Sequence, residues 1–203
     1  MKEKDMISGR HSFLLQNTKF AAIVGMAMII IALTVSQTGM NEILRTAKMF
    51  SGVGNNAFLL ATNGVLFFLA YKKGRKSIFY LTLKVDAAVL VVVHTLKNIP
   101  FGEWAHRPSG SPNGFPSGHT THAFAMAFLM SVFYPRLAWL WYGMAAAISW
   151  SRIETNAHTG FQVTSGVIFG IGIAWFLVDR WLTHPDSAML EMDDSEEQVC
   201  STK

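Results

Sequence analysis

The sequence predicts an all-α polytopic membrane protein of six transmembrane helices, with an interfacial amphipathic helix between the first two. Three observations carry this expectation. Hydrophobic residues make up 51% of the 203, more than an ordinary soluble domain of this length holds. They gather in six blocks, residues 20–36, 57–71, 78–96, 121–134, 137–150 and 163–182, rather than in the one-sided stripes of surface helices. Cations crowd particular ends of those blocks, as the positive-inside rule describes. The other reading of this composition is a soluble all-α protein with buried helices.

Residues 1–19 are polar and basic and read as a short cytoplasmic lead, with Lys2, Lys4, Arg10 and Lys19 ahead of the first block. No small-x-small cleavage site follows Ser36, so the first block is expected to stay as an anchor. Met40, Ile43, Leu44, Ala47 and Phe50 then recur at helical spacing between Glu42, Arg45 and Lys48. That pattern fits an amphipathic helix lying in the outer interface, or a loop helix packed on the bundle. The run Gly52-Val53-Gly54-Asn55-Asn56 is expected to break it.

Lys72, Lys73, Arg75 and Lys76 fill the link after the second block and place it inside. Six crossings of about 20 residues each then put both termini in the cytoplasm and residues 97–120 and 152–158 outside. The second, fourth and fifth blocks reach that length only with their small or polar flanks. Within the third, Asp86, Leu90, His94 and Lys97 share a helical face pointing to the outer loop, and Lys84 lies on another. For Asp86, a structural partnership with a cation or polar group and a proton or substrate role both stand. Tyr134-Pro135-Arg136 marks a tight inner turn, and Gly166, Gly170 and Gly172 are small positions for close helix contact. The expected domain boundaries are 1–19 for the lead, 20–182 for the membrane domain and 183–203 for an acidic cytoplasmic tail whose composition predicts disorder. The lone Cys200 falls in that tail and forms no intramolecular disulfide. The formal charge of +4 reports topology, and nothing suggests nucleic acid. The bilayer is the expected partner of such a chain, with no obligate protein partner.

The chemistry concentrates between Arg107-Pro108 and Pro116-Ser117-Gly118-His119. Pro108, Pro112 and Pro116 exclude a helix there, and the glycines at 110, 114 and 118 allow tight turns. Apolar residues resume directly afterwards, so a helix begins at Ser117, a plausible N-cap. Its free amides and positive dipole end make an anion site. Lys97, Arg107 and Arg152 add fixed cations, and His119 and His158 add imidazoles. Such a set suits a phosphoryl group gaining charge in a transition state. Glu103 and Glu154 are isolated, so no carboxylate cluster for a metal is expected, and no cofactor.

These residues resemble the three-part signature of the type 2 phosphatidic acid phosphatase superfamily, in its membrane lipid phosphatase branch. The parts read Lys97…Arg107-Pro108, Pro116-Ser117-Gly118-His119, and Ser151-Arg152 with five residues to His158. The resemblance implies His158 as a nucleophile that forms a phosphohistidine, and His119 as general acid. It implies Lys97, Arg107, Ser117, the Gly118 amide and Arg152 as holders of the phosphoryl oxygens. Two departures stand out. The Lys–Arg spacer is usually about six residues and here is nine, Asn98 to His106. The aspartate expected after His158 is Gln162, whose carbonyl still accepts from the imidazole but supplies no charge. On that reasoning Gln162→Asp is expected to run as fast as the natural chain or faster, and Glu154 is a conceivable stand-in carboxylate. His122 and His106 are pocket residues or packing residues.

The implied activity is metal-independent removal of a terminal phosphate from a lipid phosphate or diphosphate. The site would face the periplasm from a bacterial inner membrane, and lipid A 1-phosphate is marginally favoured, alongside phosphatidylglycerol phosphate, phosphatidate and polyprenyl diphosphate. The alternatives are a lipid phosphotransferase using the same intermediate, a catalytically weak lipid-phosphate-binding protein because of Gln162, and a small transporter.

Overall fold

The computed structural model describes residues 3–35 and 37–182. Those residues are mostly helical, with no strand among them. The helices are α1 (Glu3–Thr34), α2 (Asn41–Met49), α3 (Asn55–Lys72), α4 (Lys76–Lys97), α5 (Gly118–Phe133), α6 (Ala138–Glu154) and α7 (Gly160–Leu182). Helix α1 starts at Glu3, well ahead of the first apolar block. The acidic tail and Cys200 lie outside the described residues.

Helix α5 is the axis. Every residue from Ala123 to Val132 is buried, and α7, α6, α4, α3 and α1 all pack on it. Large apolar side chains point away from the bundle instead on the outer helices, for example Ile23 and Ile30 of α1, Leu60 and Phe68 of α3, Val91 of α4 and Ile168 of α7. A protein in water does not tile its exterior this way, and a bilayer is the solvent that makes it favourable. Four helical stretches are long and apolar enough to cross: Leu14–Thr34, Asn41–Lys72, Lys76–Lys97 and Gly160–Leu182. The chain is a multi-pass membrane protein. Helices α5 and α6, at 16 and 17 residues, span about 24–26 Å at 1.5 Å per residue, short of a core about 30 Å thick.

The amphipathic segment at 40–50 is helical, with Ala47 buried and Ile43 and Leu44 half-buried. It does not stop at Gly52, however. A π-turn over Phe50–Gly54 carries it straight into α3, with Met49, Gly54 and Asn55 all in right-handed helical geometry. Gly52 and Gly54 keep negative φ, and the π-turn packs on α6. Tertiary contact thus overrides the weak helix propensity of glycine.

Close approach is what the α7 glycines supply, though not all of them. A methyl group on Gly166 would lie 2.9 Å from the Ser117 carbonyl, and one on Gly170 would lie 2.4 Å from that of Thr121. Gly172, expected to act likewise, faces open space. Gly160 was not singled out by sequence, yet a methyl group there would sit 2.0 Å from the Ala32 carbonyl. It fixes where the end of α1 meets the start of α7.

Candidate active site

Three connections converge at one end of the bundle: the 98–117 loop, the first turn of α5, and the 155–159 turn between α6 and α7. Helix α4 ends at Lys97, whose ammonium would be 3.9 Å from a side-chain carbon on Gly118. The loop folds back through Arg107, whose amide donates to the Ser111 carbonyl at 2.9 Å, while its own carbonyl accepts from Gly110 at 2.8 Å. Gly110 takes φ +81° there, a region that disfavours other residues. At Gly114 the reason for glycine is space, since a methyl group would be 2.7 Å from both the Ala105 carbonyl and Gln162 Nε2. The Phe115–Pro116 bond is cis.

Ser117 occupies the N-cap position of α5 but does not cap with its side chain. Its hydroxyl pairs with that of Thr120 at 3.0 Å, and its amide donates to the Gln162 carbonyl at 3.0 Å. The expected hydroxyl cap is therefore corrected, because a better partner lies one turn along. The start of α5 keeps its dipole without a competing side-chain acceptor.

Arg152 leaves the last turn of α6 and is buried. The charges of Lys97, Arg107 and Arg152 lie within electrostatic reach of one another and of His158. Nε of Arg107 and Nε of Arg152 are buried with no hydrogen-bond partner. Orphaned guanidinium donors are costly, and two of them on arginines within electrostatic reach of one another suit an oxyanion with bidentate geometry.

His158 is only 3% exposed. Its Nδ1 lies 3.0 Å from Gln162 Oε1. Gln162, fully buried, cannot turn its amide around. Its Nε2 donates to the carbonyls of Ala105 at 3.2 Å and His106 at 2.7 Å, and a flip would set oxygen against both. Oε1 therefore accepts, Nδ1 of His158 carries the proton, and Nε2 keeps its lone pair. Burial, and after it the charges of Arg152, Arg107 and Lys97, hold the imidazole ionisation down at about 3, while the Gln162 hydrogen bond pulls the other way. The histidine is neutral at physiological pH.

Gln162 also completes a capping box at the head of α7. Thr159 Oγ1 accepts from the Gln162 amide at 3.2 Å, and Oε1 accepts from the Thr159 amide at 3.3 Å. Thr159-x-x-Gln162 is the sequence form of that motif, so this role was legible and missed. Glu154 does not stand in for the motif aspartate. It turns to Thr38, accepting from the backbone amide at 3.1 Å and the hydroxyl at 2.7 Å.

His119 sits in the first turn of α5, half-buried and within reach of the same three cations. His122, one turn on, is bonded to Asp86 at 2.5 Å. Leu90 and His94, expected on the same face, are exposed, as is Lys84. His106 lines a cavity of about 310 Å³ beside Lys97, with Asn98, Asn113, Phe101 and Phe115. Trp104, in the extended spacer, packs edge-on against Phe115 and Phe161. All eight residues of the expected site are thus gathered at one end of the bundle. Among the described residues no group of three His, Cys, Asp or Glu side chains converges as metal ligands would.

A helical membrane bundle with a cationic pocket around a neutral, oriented histidine defines a class of anion-handling membrane proteins. Residues 55–184 match the PAP2 superfamily, and the chain belongs to that family. It is 37% identical over 65 residues to the bacitracin transport permease protein BcrC of Bacillus licheniformis. That match takes in 32% of this chain and 32% of the relative, so about a third of the relative's length is covered. No solved structure matches.

Proposed function

We propose that the protein is a metal-independent lipid phosphatase acting at the outer, periplasmic leaflet of a bacterial inner membrane. The observation that carries this is the locked tautomer of His158 beside three cations and the open head of α5. In the reaction, Nε2 of His158 attacks phosphorus while Lys97, Arg107, Arg152, Ser117 and the Gly118 amide hold the equatorial oxygens. The phosphorus–oxygen bond to the lipid breaks, and His119, protonated by the hydrogen that the phosphate monoanion brings into the pocket, passes that proton to the leaving oxygen. Water then attacks the phosphohistidine, with His119 taking back a proton, and inorganic phosphate leaves. Three side-chain cations supply the charge neutralisation that a metal supplies elsewhere.

The topology that fits this chemistry has six spans and both termini in the cytoplasm. Helices α5 and α6 cross as short inner members ringed by longer ones. Residues 40–50 begin the second span at the outer interface, 20–182 form the membrane domain, and 1–19 and 183–203 flank it. The substrate is a lipid phosphate or diphosphate, and lipid A 1-phosphate remains among the head groups to test. No obligate protein partner is needed for the chemistry described.

Purified protein should release phosphate from at least one member of a lipid panel in excess chelator, and His158→Ala should abolish it. Turnover that survives His158→Ala would remove the nucleophile from this scheme. The permease name of the relative raises transport as a second reading. Against it, the central helix α5 is buried and apolar from Ala123 to Met130.

A further inference from the structure

Resting on the phosphoryl-transfer reading above, we propose that Ser51, in the π-turn between α2 and α3, is a positioning residue. It fixes which edge of Arg152 faces the phosphoryl group. Nη1 of Arg152 donates to the hydroxyl of Ser51 and, at 3.4 Å, to its carbonyl. A guanidinium offers two bidentate edges, one through both Nη atoms and one through Nε and Nη2. Nη1 carries two N–H groups, and with the hydroxyl and the carbonyl of Ser51 as their acceptors the first edge is taken. The second is left, and its Nε is the buried donor without a partner.

The π-turn is what brings Ser51 to this position. Across Phe50–Gly54 the amide of Asn55 bonds back to the carbonyls of Phe50 and Gly52. A residue absorbed this way shifts every later side chain round the helix axis relative to an ordinary α-helix. The same turn packs on α6, the helix that carries Arg152. Ser51 also lies just ahead of the segment, residues 55–184, that matches the family. The positioning device therefore belongs to a part of this chain that the shared family region does not include.

The test is vanadate inhibition and steady-state kinetics on the purified full chain, for Ser51→Ala, Ser51→Thr, Arg152→Lys and Ser51→Ala/Arg152→Lys. Losing a hydrogen bond to a charged group should weaken vanadate inhibition and lower kcat/KM about 10-fold in Ser51→Ala. Ser51→Thr, which keeps the hydroxyl, should restore both. Lysine has no second edge to select, so Ser51→Ala should add nothing in the Arg152→Lys background. Unchanged vanadate inhibition in Ser51→Ala, failure of threonine to restore it, or additive losses in the double variant would each overturn the proposal. A natural chain that neither releases phosphate nor binds vanadate would take down the parent reading as well. Natural turnover with an unaffected Ser51→Ala takes down this proposal alone.

Discussion

Replacing Gln162 by aspartate restores the residue expected by the family resemblance, and the sequence argues that this should help. The geometry gives the opposite sign. The Gln162 side chain makes four hydrogen bonds, two accepted by Oε1 from His158 and Thr159 and two donated by Nε2 to Ala105 and His106. Aspartate is shorter by one carbon–carbon bond, about 1.5 Å. An acceptor now 3.0 Å from His158 Nδ1 would retreat beyond hydrogen-bonding range, which ends near about 3.2 Å. An ionised carboxylate also donates nothing. The His106 carbonyl would lose its side-chain donor at about 1–3 kcal/mol, while that of Ala105 keeps the Gly114 amide; both belong to the loop that leads into Arg107. The charge gained would be drawn to Arg107 and Arg152, in competition with phosphate. In the serine protease template the aspartate is worth about 10⁴ in rate, chiefly through the tautomer. Here the amide already fixes the tautomer. Gln162→Asp should therefore lower kcat/KM by about 10²-fold, corresponding to roughly 2.7 kcal/mol, and lower the melting temperature in detergent. Phosphate release in chelator and thermal unfolding read both effects. A variant as fast as the natural chain, with unchanged melting, would refute the tether.

Three other outcomes follow from the same structure. Protonation of His158 removes the nucleophilic lone pair, and its ionisation lies at about 3 rather than 6.5. The acid loss of kcat/KM due to this group should accordingly appear far below pH 6.5, and Gln162→Glu, with a carboxylate against Nδ1, should move it upward. The unfolded chain protonates this histidine below about 6.5 while the folded one does not until about 3. Folding stability should therefore fall as pH drops through that window and be insensitive to this group above it. Gly160→Ala, with its methyl group set 2.0 Å from the Ala32 carbonyl, should destabilise by at least about 1–3 kcal/mol, read as a lower melting temperature. Melting like that of the natural chain would show that the α1–α7 junction yields.

The sequence by itself determined the solvent and the helical class, and it singled out the residues that the fold gathers at one end of the bundle. Long apolar blocks have few other ways to satisfy their backbone in a bilayer. Pro108, Pro112 and Pro116 mark the irregular loop through local sterics alone. Local sequence also held the Thr159-x-x-Gln162 box. Only tertiary structure decided how those residues are partnered, because the partners are distant in the chain. Ser51 reaches Arg152 across 101 residues, Thr38 takes Glu154 across 116, and Gln162 holds a loop 57 residues away. Periodicity also misjudged the junction at Gly52–Gly54, where packing on α6 carries the helix through. Whether a buried amide or hydroxyl orients a catalytic group depends on which carbonyls and cations the fold brings within about 3 Å, and no local pattern encodes that distance.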